Sequence, residues 1–373
     1  MREAVIVAAA RTAVGRSRGA FADVRADDLA ADVLEEVVKR AGIEKALVED
    51  VILGCVSQTM EQGANIARTA ALMAGFPIEV PGVTIDRQCG SSLQAVHFAA
   101  QAILAGDMDV IIAGGVESMS RVPMFSNMEG AHEGKRLQEK YEIIHQGLSA
   151  EKMAEQWNLT KEEINHFSVL SHERAIRAGE AGHFQEEIVE IGDFSRDEGP
   201  RHGTTVEVLQ GLKKVFKEDG VISAGNASQM SDGASAVVIM YAEKAKELEI
   251  KPLAKVVARS VVGSDPTLML TGPIEATKKV LAKAGLTMDD MDTYEVNEAF
   301  APVPIIWARE LGADIEKLNP DGGAIALGHP LGATGTKLLT TMLYRMQREN
   351  HRYGLIAICE GMGMANATII ERL

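Results

Sequence analysis

Val83-Thr-Ile-Asp-Arg-Gln-Cys-Gly-Ser-Ser-Leu-Gln-Ala95 reads as a short buried strand, a sharp turn at Cys89-Gly90, and a helix that opens on Ser91-Ser92 and runs towards Leu104. A strand handing on to a helix through a glycine turn is a building unit of layered α/β folds. The turn also carries chemistry. A cysteine at a helix start sits against unpaired amides and the positive end of the helix dipole, which favour thiolate over thiol. Cys89 is then either a nucleophile or a small packed thiol. A base, an oxyanion hole and a substrate handle elsewhere in the chain would separate the two readings.

Outward from this unit, strand-like and helix-like segments alternate. An apolar strand spans Ala4 to Ala9, and a helix from about Asp27 carries Leu29, Val33 and Val37 before stopping at Ala41-Gly42. Val51 to Cys55, a helix around Asn65 to Met73, the Cys89 unit and the strand Val110 to Ala113 follow. Such alternation implies a mainly parallel sheet covered on both faces.

The second half repeats the order. Ala41-Gly42-Ile43 through Val51 is echoed by Ala284-Gly285-Leu286 through Met291, and Ala254 to Arg259 echoes Ala4 to Arg11. A Gly-rich turn, a helix from about Gly335 to Met346 and a strand Leu355 to Cys359 mirror Cys89, its helix and Val110 to Ala113. The pattern predicts an α/β protein of two related βαβ-type halves. Residues 1–118, completed by about 221–250, form the first half and residues 251–373 the second. Residues 119–220 form a polar, helical insert, charged from His132 to Lys140, with helices near Ser149 to Trp157 and Lys161 to Ala178. It reads equally as a substrate lid or as an oligomerisation element.

Composition narrows the function classes. With 373 residues the chain can bury a large core, and 46% hydrophobic with 24% charged residues is ordinary for a globular protein. A formal net charge of -15 argues against a nucleic-acid or anionic-membrane surface. No uncharged apolar run reaches membrane-spanning length, and Met1-Arg2-Glu3 leads straight into a strand, so no membrane insertion and a cytoplasmic location are expected. Cys55, Cys89 and Cys359 are widely spaced, without metal-ligand spacing, and read as free thiols with no metal.

Two further stretches carry chemistry. In Asn319-Pro-Asp-Gly-Gly-Ala-Ile-Ala-Leu-Gly-His329-Pro-Leu-Gly-Ala-Thr-Gly335 the glycines let backbone and ligand approach one histidine. His329 is then a candidate base for a thiol. Cys359-Glu-Gly361-Met-Gly-Met again sets a thiol against a Gly-rich turn at the end of a strand. Two thiols and a histidine near the carboxyl ends of the sheets would meet at the junction of the halves, where open α/β folds bind ligands. Asn297 precedes another helix and is read either as a site residue or as that helix's N-cap.

Six segments taken in order resemble the thiolase family, the acyl-CoA:acetyl-CoA C-acyltransferases, over essentially the full length. They are Asp86-Arg-Gln-Cys89-Gly-Ser-Ser, Gly114-Gly-Val-Glu-Ser-Met119, Ala224-Gly-Asn-Ala-Ser228, Asn297-Glu-Ala-Phe-Ala301, Gly322-Gly-Ala-Ile-Ala-Leu-Gly-His329-Pro and Cys359-Glu-Gly361. The resemblance implies the thiolase fold, mixed sheets covered by helices with a helical loop domain for CoA. It implies that Cys89 takes the acyl group, His329 activates that thiol, and Cys359 moves a proton at the acetyl α-carbon. Backbone amides of Cys89 and Gly361 would hold one oxyanion, and His329 with a water placed by Asn297 the other. Arg201 and Ser228 match positions that contact the adenine end and the pantetheine arm, and Ala224, Gln146 and Phe300 are added as substrate-binding residues. Arg201 also reads as a solvated loop charge, and Lys213, Lys214 and Lys217 either as electrostatic aids to CoA binding or as a solvated helix face, of which the helix face is preferred.

The implied function is thiolysis of 3-ketoacyl-CoA through an acyl-Cys89 intermediate, with acyl-CoA and CoA as substrates and no cofactor. Synthesis of acetoacetyl-CoA and a non-catalytic acyl-CoA-binding scaffold are the alternatives. A homodimer or homotetramer, and a hydratase-dehydrogenase partner, belong to the same expectation. Two departures bear on the acyl group: His145-Gln146-Gly147 stands where many acetoacetyl-type members have His-Met-Gly, and Glu360 replaces the usual isoleucine after the cysteine. They point to a degradative 3-ketoacyl-CoA thiolase.

Overall fold

The computed structural model describes residues 2–131 and 133–373. Met1 and the first residue of the charged run, His132, lie outside the described residues. In chain order come β1 (Ala4–Thr12), β2 (Gly15–Arg16), α1 (Ala26–Ala41), β3 (Asp50–Gly54), α2 (Ile66–Met73), β4 (Gly82–Ile85), α3 (Ser91–Ala105) and β5 (Val110–Ser118). The insert gives α4 (Lys135–Gln138), α5 (Gln146–Gln156), α6 (Lys161–Glu180), β6 (Ile188–Val189) and α7 (Val206–Gln210). Then follow β7 (Ser231–Tyr241), α8 (Ala242–Glu247), β8 (Ala254–Gly263), α9 (Gly272–Ala284), β9 (Thr293–Val296) and α10 (Pro302–Leu311). The chain closes with α11 (Ala324–Leu327), α12 (Thr334–Arg348), β10 (Tyr353–Glu360) and β11 (Met364–Arg372).

The strands run in the order β4-β3-β5-β7-β1-β8-β11-β10-β9, with β2 on β7 and β6 on β1. Among the described residues only β3 with β4 and β5, β9 with β10, and β1 with β6 pair parallel as strands. The sheet is therefore mixed, not mainly parallel as the alternation alone implies. β7 runs back between β1 and β5, and β11 between β8 and β10, antiparallel to both neighbours. Alternation along the chain does not disclose such long-range insertions.

The duplication is visible in this order. β1, α1, β3, α2, α3, β5 and β7 correspond to β8, α9, β9, α10, α12, β10 and β11. The counterpart of β4 is a remnant at Leu318, which bridges Tyr294 of β9 in parallel. The halves join through a short register, Val5 with Lys255 and Ile6 with Ala254. β4 itself is an edge strand, not the buried strand expected, and Val83 is 42% exposed.

α1 and α2 cover one outer face, where Leu29, Val33, Leu34 and Val37 pack on Val51, Ile112 and Val238. α9 and α10 cover the other, with Ile274, Val280 and Trp307 against Leu355 and Ile369. α3 and α12 form the middle layer, packing on each other and on strands of both halves. A helix walled in this way must be apolar nearly all round, and α3 exposes only Phe98, Gln101, Leu104 and Ala105. In α12, Leu339, Met342 and Leu343 are fully buried, each stabilising the core by about 2 kcal/mol. At the starts of these helices a Cβ on Gly335 would collide with the backbone of Leu93, and Thr336 N–H donates to Ser92 Oγ at 3.0 Å. That contact brings the Cys89 turn and the His329 loop to one place.

The insert packs on the second half, with Ala150, Met153, Ile164 and Phe167 in the core that holds Phe300 and Trp307. Thr160 and Glu163 form a capping box at the start of α6.

Candidate active site

Cys89 lies in a turn fixed by its neighbours. Asp86 Oδ1 accepts from the Gln88 amide at 2.6 Å. Ser91 Oγ accepts from Arg87 N at 2.9 Å and donates to the Gln88 carbonyl at 2.6 Å. These bonds hold Gln88 at φ 49°, a left-handed conformation uncommon for a residue with a side chain. Cys89 follows it at the head of α3, 5% exposed. Burial pushes its thiol well above the ordinary range, and negative charge on Cys359 or Glu360 would push it further. The thiolate expected from the helix start is thus reversed at rest: desolvation outweighs the dipole, and the thiol needs a base.

His329 is buried in the loop before α12. Its Nδ1 lies 2.6 Å from Thr334 Oγ1, which donates its own proton to the Pro330 carbonyl at 2.8 Å. A hydroxyl whose hydrogen is committed can only accept, so Nδ1 carries the imidazole proton and Nε2 is the unprotonated nitrogen. Burial lowers the imidazole to about 3, with the Lys337 charge adding. His329 is therefore neutral at ordinary pH. Asn297 directs its Nδ2 to His329 Nε2 at 3.3 Å. It follows β9 directly, and the N-cap of α10 is Ala301, so the helix-cap reading of Asn297 does not hold. Its Oδ1 is buried without a partner, a position that suits a bound water.

The His329 loop is anchored by the other half of the Asn297-Glu298 pair. Glu298 accepts from Ser171 Oγ at 2.7 Å, Asn319 Nδ2 at 2.9 Å and Ile325 N at 3.0 Å. It leaves no room for a Cβ on Gly323. Glu117 ties the loop to the first half by accepting from Gly332, Val56 and Ser57 amides at 2.9 to 3.0 Å.

Cys359 is the penultimate residue of β10, 1% exposed, its thiol pushed up to about 12 by burial. Gly361 opens the turn into β11. A Cβ placed there would sit 2.9 Å from Gln88 Oε1 and 3.1 Å from Gln146 Nε2, so these two amides flank it. Gln146 is the first residue of α5, behind the N-cap His145.

The handle residues are placed unevenly. Ser228 N–H donates to the Ala299 carbonyl at 3.0 Å, and Ala227 bridges Phe300. Phe300 is buried, whereas Ala224 is exposed. Gln229 Nε2 holds the Gly199 carbonyl at 3.0 Å, which brings the Arg201 loop beside Ser228. Arg201 is exposed and makes no ion pair among the described residues. No helix spans 213–217, so the solvated helix face expected there is a loop; Lys217 pairs with Glu155, and Lys214 bridges Ser223.

The motifs left several neighbours unassigned. Rings of Phe125, His145, Phe216 and Phe300 follow one another at centroid spacings of 6.2, 4.9 and 6.0 Å, from an exposed residue to a buried one. His145 was visible only as part of a motif, and Phe216 carried no signal. Thr334 lay inside the glycine-rich segment without a role. A cavity of about 670 Å³ lies elsewhere, between α6 and the 184–202 segment, and none of these site residues lines it. Among the described residues no group of three or more His, Cys, Asp or Glu side chains is placed to hold a metal ion.

Comparison with known proteins shows the family. The family model for the thiolase N-terminal domain matches residues 4–243 and that for the thiolase C-terminal domain residues 250–372. The steroid 3-ketoacyl-CoA thiolase FadA6 of Mycobacterium tuberculosis is 49% identical, covering 100% of this chain and 95% of that protein. A 3-ketoacyl-CoA thiolase of Bacillus subtilis and an acetyl-CoA acetyltransferase of Pseudomonas aeruginosa are each 43% identical, with 100% of both chains covered. The crystal structure of the Bacillus anthracis acetyl-CoA acetyltransferase superimposes with a TM-score of 0.92 at 40% identity, covering 100% of this chain and 99% of that one. With its two halves and central helix pair, the chain belongs to the thiolase family of acyltransferases.

Proposed function

We propose that the protein catalyses CoA-dependent thiolysis of 3-ketoacyl-CoA to acetyl-CoA and a shortened acyl-CoA, reversibly. The observation that carries the reading is a neutral, buried His329 with an unprotonated Nε2, held by Thr334 and Asn297 where α3 and α12 converge. His329 takes the Cys89 proton, and the thiolate attacks the C3 carbonyl. The C2–C3 bond breaks, its electron pair passes into the acetyl-CoA enolate, and Cys359 protonates C2. Incoming CoA returns a proton to Cys359 and attacks the acyl-Cys89 thioester, whose leaving thiolate recovers its proton from His329.

Two oxyanions form along this path. Amides of Cys89 and Gly361 serve the tetrahedral one; the His329 imidazolium and a water on Asn297 serve the enolate. The buried, unpartnered Asn297 Oδ1 supports that water. Losing one such donor lowers the rate roughly a hundred- to a thousandfold. CoA would enter along the ring series ending at Phe300, with Ser228 and Ala224 beside the pantetheine arm and Arg201 at the adenine end.

Relatives named acetyl-CoA acetyltransferase support a second reading, synthesis of acetoacetyl-CoA. Gln146 beside Gly361 favours the degradative one, because it puts an amide where a purely hydrocarbon wall would suit the smallest substrate. CoA-dependent consumption of 3-ketoacyl-CoAs from four carbons upward separates them, and a sharp preference for the shortest overturns our choice. Absence of all turnover would leave the acyl-CoA-binding scaffold.

The same reading makes the protein a cytoplasmic homodimer or homotetramer, supported by the free outer edge of β4 among the described residues. Sedimentation tests the assembly, and copurification tests a hydratase-dehydrogenase partner that supplies the substrate.

A further inference from the structure

Directly behind the nucleophile lies a buried polar cluster that the reaction does not use. Glu360 follows Cys359 on β10, and successive strand residues face opposite ways, so its side chain points to α3 and not to the Cys359 side. It is fully buried, and neither carboxyl oxygen has a hydrogen-bond partner. Its carboxyl presses on Gly90, where an added Cβ would collide with it and lie 2.7 Å from Asn366 Nδ2. Asn366 Nδ2 donates to the Gly90 carbonyl at 2.9 Å, while Asn366 Oδ1 and Arg87 Nε are also buried and unpartnered. From the turn before α3, Arg87 and Asp86 face the carboxyl; β11 presents neutral Asn366 and Met364; Cys359 adjoins it on its own strand.

We propose that Glu360 is a positioning residue acting through charge: as the neutral acid it leaves Cys89 free to ionise, and as a carboxylate it opposes that ionisation. The proposal rests on Cys89 being the nucleophile. A carboxylate against the first residue after Cys89 would repel a thiolate formed beside it. Burial pushes the Glu360 acid up to about 9, Arg87 opposing the rise and Asp86 adding to it. The charge is therefore absent at neutral pH and enters only in alkali.

The test is alkylation of the full-length protein by iodoacetamide from pH 6 to 10.5, with the rate at Cys89 read by peptide mass spectrometry. Thiolysis is not needed for this readout, so a failed functional reading and a failed Glu360 proposal are distinguishable. In the wild-type chain the logarithm of the rate rises with pH, flattens near pH 9 as Glu360 ionises, and then resumes. In Glu360→Gln and Glu360→Ile the flattening disappears, and the ratio of variant to wild-type rate, constant below about pH 8, climbs about tenfold by pH 10.5. A merely structural defect would change the ratio equally at every pH. An unbroken wild-type line, or a constant ratio for both variants, overturns the proposal; the wild-type curve decides even if neither variant folds.

Discussion

Replacing Thr334 by valine removes one hydroxyl and little volume, and it removes the acceptor that keeps the proton on His329 Nδ1. The hydroxyl accepts from Nδ1 at 2.6 Å and donates to the Pro330 carbonyl at 2.8 Å. Once His329 takes the Cys89 proton, the first bond joins an imidazolium to oxygen, and such charged bonds contribute about 1.5 to 3 kcal/mol. Its loss lowers kcat roughly 10- to 150-fold. KM changes little, because the proposed path puts no substrate atom on Thr334. Rapid-quench measurement of Cys89 acylation, beside steady-state kcat and KM, checks both expectations. Thr334→Ser keeps the hydroxyl and should recover most of the rate. A Thr334→Val enzyme within about twofold of wild type in kcat would refute the assignment of Nδ1 as the protonated nitrogen.

Burial lowers His329 and His97 to about 3 and His172 to about 4. The unfolded chain then binds these protons at higher pH than the folded one. Their contribution to stability is present above about pH 6.5 and is lost as pH falls towards 3 to 4. Buried acids such as Glu360 act in the opposite sense over this range, so the check is NMR titration of the histidines themselves: no protonation between about pH 7 and 5 is expected, and midpoints at about 6.5 would show that they are not buried neutral. Glu298→Ala leaves Ser171, Asn319 and Ile325 donors without their acceptor. It should destabilise the fold by about 3 kcal/mol, seen in thermal unfolding. Gly335→Ala forces α12 off α3 and should abolish acylation or folding, whereas Gly285→Ala, in open space at φ 67°, should reduce stability by only about 1 kcal/mol.

Much of this was legible in the chain because local signals and long-range structure agree there. Cys89-Gly90 before α3 and Ala41-Gly42 after α1 are turns that glycine and caps dictate, and both fall where the pattern puts them. The echo of Ala4 in Ala254 marks the first strand of each half. The antiparallel course of β7 and β11 was not legible, since it depends on partners far away in sequence. Nor was the exposure of β4: Val83-Thr-Ile is as apolar as a buried strand, but it lies at the sheet's edge.

At the site, residue types were readable and their charge states were not. The position of Cys89 suggests a thiolate, yet three-dimensional burial makes it a thiol. Asn297 carries two possible roles in sequence, and only the observed start of α10, capped by Ala301, removes the cap reading. Gln88 at φ 49° gives no sequence signal, because its conformation is held by Asp86 and Ser91 on either side.

The central claim is that Cys89 carries the acyl group. Mixing the protein with a medium-chain 3-ketoacyl-CoA in the absence of free CoA, quenching in acid and mapping peptides by mass spectrometry tests it directly. The account predicts the shortened acyl group on Cys89, with acetyl-CoA released in equal amount and the adduct discharged by added CoA. An adduct on Cys359 or Cys55, or acetyl-CoA release with Cys89 unmodified, contradicts it.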